Sequence, residues 1–236
     1  MSKYILVFIS AYLFNLFLTS IVHFIAFFQG TEHKADVIFT KFFVLPEDFL
    51  EFIYYSLSLD YWSAKSFKKN KLLNKRAYSG NFIRSSNCYN FIISLLIFLV
   101  VINLNDIKYL DFFKFSWGIR VFSRSFEIMI AFVRDVIDDG KKRTDIISGE
   151  RIKLAIYSYF EIIINFSVFY YLLSYLSDEA KVIKYVFESI GISTFTGVNF
   201  SYPNYNLYYN LFIILQLFTS ISLVYFALAN YISEKK

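Results

Sequence analysis

Long apolar runs separated by short charged ones dominate the pattern of this chain. The first, "YILVFISAYLFNLFLTSIVHFIAFF" (residues 4–28), is long enough for a bilayer crossing, which takes about 20 apolar residues in a helix. A cleaved signal would have a basic start, a short apolar core and a small-residue cleavage site. This run is too long and no such site follows, so it reads as an uncleaved helix. His23, near its end, reads as a packed or interfacial residue rather than a ligand.

The next segment, "FFVLPEDFLEFIYYSLSLDYW" (residues 42–62), is apolar but interrupted by Pro46, Glu47, Asp48 and Glu51. It fits either a polar-faced spanning helix or an amphipathic helix in the interface. Residues 65–84 follow as a basic loop with no acidic residue. "NFIISLLIFLVVINL" (90–104) predicts a spanning core. Residues 115–137 predict another helix, apolar except for Arg120, Arg124, Glu127, Arg134 and Asp135. Arg124 and Glu127 stand three apart, where helical side chains can pair. A polar, basic-rich stretch (138–153) leads to a span at 154–176 carrying one charge, Glu161. A last span covers 206–232 and ends in "SEKK".

Composition agrees with a membrane protein. The 236 residues are 57% hydrophobic and include 30 Phe and 20 Tyr, more than a soluble core of this length requires. The lone Cys88 excludes an internal disulfide framework, and two histidines leave little for a metal site. The net charge of +5 sits in loops, where the preference for Lys and Arg on the inner side of a membrane accounts for it without nucleic acid. That preference places 65–84, 138–153 and the C-terminus on the cytoplasmic side. A spanning 42–62 gives six helices with both ends inside, and the alternative gives five. Six is preferred, because Lys3 and the acid-rich 30–36 segment then sit correctly.

Between the last two spans lies "SIGISTFTGVNFSYP" (189–203), a polar, glycine-bearing stretch in apolar surroundings. Residues 180–194 form a half-helix too short to span. Non-helical backbone at membrane depth occurs only where it is buried in protein or lines water. The combination therefore points to a cavity or pore, against a plain external loop.

The same block, about residues 154–232, resembles the pore module of the potassium-channel superfamily. "ESIGISTFTGVNFSYP" aligns without gaps on the family pattern of aromatic and serine, then Thr-x-Thr-Thr-Val-Gly-Tyr-Gly-Asp, then proline. Ser189 matches the pore-helix serine, Thr194 the first paired threonine, Gly197 the first filter glycine and Pro203 the proline before the inner helix. Phe195 stands where the family has a threonine, Val198 replaces the tyrosine, Asn199 the second glycine and Phe200 the aspartate. The resemblance implies a pore formed by Thr194, Phe195, Thr196, Gly197, Val198 and Asn199. Ser189, Pro203 and Glu161 would support it. It also implies a homotetramer and passage of monovalent cations, potassium foremost, by backbone carbonyls that replace the hydration shell. The substitutions in the filter weigh against strict potassium selectivity.

Arg120, Arg124 and Arg134 precede this block, but their spacings of four and ten, with Glu127 between, do not make the regular ladder of a voltage sensor. Glu161 needs a partner, with Arg124, Tyr157 and Thr219 as candidates. No nucleotide-binding loop, metal motif or nucleophile elbow is present, so an enzyme is not expected.

Together these features predict an all-α integral membrane protein with five or six transmembrane helices. An N-terminal region (1–140) precedes a C-terminal helix–pore loop–helix module (154–236). The expected function is a cation channel subunit in the lipid bilayer of a bacterial cytoplasmic membrane. No cofactor, nucleic acid or nucleotide-binding domain is expected. The alternative is a non-conducting scaffold that keeps the channel fold.

Overall fold

The computed structural model describes residues 3–30, 49–68, 76–103, 109–137, 144–174, 182–197 and 207–224. These form eight helices: α1 (Lys3–Gly30), α2 (Phe49–Leu57), α3 (Leu59–Lys68), α4 (Arg76–Asn103), α5 (Leu110–Ile137), α6 (Ser148–Ser174), α7 (Val182–Ser193) and α8 (Leu207–Ile221). Among the described residues there is no strand.

α1, α4 and α6 are long and apolar enough to cross a membrane. α5 matches them in length at 28 residues, or about 42 Å of helix, but carries more charge. The burial pattern is inverted relative to a soluble bundle. Along α1 the exposed positions include Ile5, Phe8, Leu13 and Phe17, the last 66% exposed, while Asn15, Thr19 and His23 face inward. α4 repeats this: Leu96 and Val100 face out, and Asn90 and Ser94 are fully buried. In water such a surface would be intolerable; against lipid tails it is the stable arrangement, because the interior is where polar side chains find partners.

Small residues let the helices meet, since lipid provides no hydrophobic drive between them. A side chain at Gly30 would begin 3.0 Å from the Phe82 backbone nitrogen, so α1 and α4 touch nearly backbone to backbone there. α1 packs on α3, α4 and α5; α6 packs on α4, α5, α7 and α8. α6 is thus common to an N-terminal bundle and a C-terminal trio.

Several boundaries depart from the sequence reading. Residues 76–84, read as part of a basic loop, are the first turns of α4. No proline interrupts them, and a helix continues beyond an apolar core wherever its side chains reach polar partners. Arg84 does so, bonding Glu150 at 2.7 Å and lying 3.6 Å from Asp145. This joins the two basic segments, 65–84 and 138–153, at one end of the bundle. The segment at 42–62 is not one helix over its described part: it breaks at Ser58 between α2 and α3. The Ser58 hydroxyl caps α3 by accepting from the Tyr61 amide at 3.0 Å. Glu47 and Asp48 lie outside the described residues.

Candidate functional site: the helix-flanked turn and the buried charge cluster

α7 is 12 residues, about 18 Å, and lies against α6 and α8. Its inner face is Tyr185, Ser189, Ile192 and Ser193. The Ser189 hydroxyl donates to the Ile163 carbonyl of α6 at 2.9 Å. Gln216 of α8 holds the other side. The two hydrogens of its amide nitrogen are shared among the Ser189 carbonyl (2.9 Å), the Ser189 hydroxyl (2.8 Å) and the Ser193 hydroxyl (2.7 Å). Its amide oxygen accepts from Tyr170 of α6 at 2.8 Å. One fully buried glutamine therefore links three helices. One residue before Ser189, Glu188 accepts from Tyr209 of α8 at 2.7 Å.

The helix ends in a Schellman turn. The Thr196 amide bonds the Gly191 carbonyl (2.9 Å), and the Phe195 amide bonds the Ile192 carbonyl (3.1 Å). Phe195 takes the left-handed position with φ 62°, where glycine is usual. Gly191 and Gly197 make the turn possible by contact: a side-chain carbon at Gly197 would sit 3.1 Å from the Gly191 Cα. Thr194, Phe195, Thr196 and Gly197 are exposed, and the two threonine hydroxyls lie 2.8 Å apart. Val198, Asn199 and Pro203 lie outside the described residues.

Glu161 is on the opposite side of α6, inside the N-terminal bundle. Its partner is Arg124, which donates from Nε to Oε1 at 2.8 Å and from Nη2 to Oε2 at 2.9 Å. This two-pronged geometry is what a guanidinium and a carboxylate form best. Arg124 also bonds Glu127, and it donates to Asn87 of α4 at 2.9 Å. The other two candidates for Glu161 fall elsewhere: Tyr157 is exposed and stacks on Phe91, and Thr219 donates to its own helix.

Around this pair lies a polar ladder. Asp60, at the start of α3, accepts from the Ser123 hydroxyl (2.7 Å) and the Thr19 hydroxyl (3.4 Å). Arg120, 1% exposed, donates to Asn90 at 3.2 Å and lies over the Trp117 ring. Asn15 reaches the Ser116 carbonyl at 2.9 Å. From Ser116 to Glu127 the ladder covers about 16 Å along α5. Three carboxylates and two guanidiniums share an interior made by five helices. Among the described residues no group of three or more His, Cys, Asp or Glu could hold a metal ion.

The chain matches no known protein family, no curated protein and no solved structure. The geometry alone therefore carries the functional argument. Sequence reasoning missed Asp60 and Gln216. Gln216 had a readable signal, a lone amide inside "LFIILQLF". Asp60 had none, because its segment fits two placements.

Proposed function

We propose that the protein is a channel subunit passing monovalent cations, with α6, α7 and α8 as its pore-forming unit and four copies around a central axis. The observation that carries this reading is the clamp on α7. A helix too short to cross is fixed between two longer ones by Ser189 and Gln216, and its end delivers an exposed turn with two hydroxyls. A polar turn of this kind is stable at membrane depth only where protein or water surrounds it. Neighbouring copies would provide both. On this reading residues 194–199 form the narrow part, and the described helices belong to a chain of five or six spans with its C-terminus cytoplasmic.

A second reading, a non-conducting scaffold, has an observation of its own. The Schellman turn uses the carbonyls of Ile190, Gly191 and Ile192 within the chain and places the Phe195 ring at the turn. Planar-bilayer recording with potassium on one side and sodium on the other separates the two. Discrete currents whose reversal potential changes in Thr196→Val are expected for a channel. Silence from folded, tetrameric protein would overturn that reading in favour of the scaffold.

A further inference from the structure

His23 lies in the N-terminal bundle, away from the turn, and its hydrogen-bond partner fixes its tautomer. Nδ1 is 3.0 Å from the Thr19 carbonyl, which can only accept, so Nδ1 carries the hydrogen. In a neutral ring Nε2 is then a bare acceptor. That atom is buried with no hydrogen-bond partner, in a side chain that is 0% exposed. It faces Oε1 of Glu127 at 4.0 Å. Two acceptors thus oppose each other in an interior without a donor between them, an arrangement that costs energy until a proton fills it.

The charge balance points the same way. Among the groups turned into the bundle, with Lys68 exposed at its edge, Asp60, Glu127 and Glu161 carry three negative charges, and Arg120 and Arg124 two positive ones. Neutral His23 leaves one surplus negative charge. One proton on Nε2 makes an imidazolium–carboxylate pair and brings the cluster to neutrality. We infer that His23 and Glu127 form a proton-binding site inside the bundle, with Nε2 as the acceptor and Glu127 as its counter-charge.

Every helix packed on α1 contributes to this site. From α3 come the Asp60 carboxylate, bonded by Thr19 one turn before His23, and Lys68 in its last turn. From α5, the Arg124 guanidinium bonds Glu127. α4 presents the Phe82 ring 5.9 Å from the imidazole, and its Arg84 is engaged with Glu150. Glu161 of α6 is held by Arg124. The inference does not depend on whether the α6–α8 unit conducts.

The test uses full-length protein with His33→Gln, so that His23 is the sole histidine, with 15N-labelled histidine in lipid nanodiscs. Ring 15N spectra should show the Nδ1–H tautomer at high pH. They should pass in one step to a doubly protonated ring as the pH is lowered across the range over which the protein stays folded. Glu127→Gln should lower the ratio of doubly protonated to neutral ring about tenfold at the wild-type midpoint, and Glu127→Asp should retain it. An Nε2–H tautomer in the parent protein, or a ring that stays neutral throughout, would overturn the proposal even if Glu127→Gln fails to fold. So would a folded Glu127→Gln variant that titrates as the parent does.

Discussion

The two sides of α6 hold their neighbours by different chemistry. Towards α5, Glu161 meets Arg124 in a doubly bonded ion pair, with Glu127 and Asn87 on the same guanidinium. Towards α7 and α8, neutral groups suffice: Ile163 carbonyl to Ser189, and Tyr170 to Gln216. In a low-dielectric interior this difference sets the consequences of damage. Removing one partner of a buried ion pair strands a charge, at about 3–5 kcal/mol. A neutral hydrogen bond between membrane helices is worth about 0.6–2 kcal/mol, because the separated helices find other partners. The N-terminal side is thus built to be hard to open, and the α7 side is held more lightly, as suits an element whose end is an exposed turn.

The largest expected effect follows directly. Glu161→Ala should destabilise the protein by about 3 kcal/mol or more, read as a fall in unfolding midpoint in detergent, because Arg124 keeps only Glu127 as a charged partner. A loss within the range of a single neutral bond would erase the contrast between the two sides.

Gln216→Leu should cost less, about 1–3 kcal/mol. It leaves the Tyr170 hydroxyl and the Ser189 carbonyl without their partner. Amide exchange should quicken in α7 while that of α4 stays unchanged. Exchange rising equally in both would mean that the bundle is one cooperative unit and that the lighter attachment of α7 is wrong.

The smallest effect sharpens the comparison at the turn. Phe195→Gly removes a side chain from a left-handed position that costs a non-glycine residue about 1–2 kcal/mol. The gain is partly offset by the greater freedom of glycine in the unfolded chain. A net stabilisation below about 1 kcal/mol is expected, seen as slower exchange of the Thr196 amide. Faster exchange would show that the Phe195 ring, not the backbone, secures the turn.

The long helices were legible because a bilayer imposes a length on apolar runs: residues 4–28 lie within α1, and residues 180–194 bracket α7. The Arg124–Glu127 spacing likewise gave its pair. What the sequence could not give was which inward positions meet. Asp60, Thr19 and Ser123 come from three helices, and nothing local in any of them specifies the others. The helical start of α4 was hidden for another reason. It is rich in polar and basic residues, which extend a helix as readily as they form a loop.

The Arg124–Glu161 pair is the charged link between the N-terminal bundle and α6. A double-mutant cycle with Arg124→Met and Glu161→Leu, read by unfolding in detergent, addresses it directly. Coupling of about 2–3 kcal/mol is predicted, with the double variant losing less than the sum of the two single variants because Glu127 is left without Arg124 in both Arg124 variants. Effects that add to within about 0.5 kcal/mol would contradict the account, because they would show that the two residues do not stabilise one another.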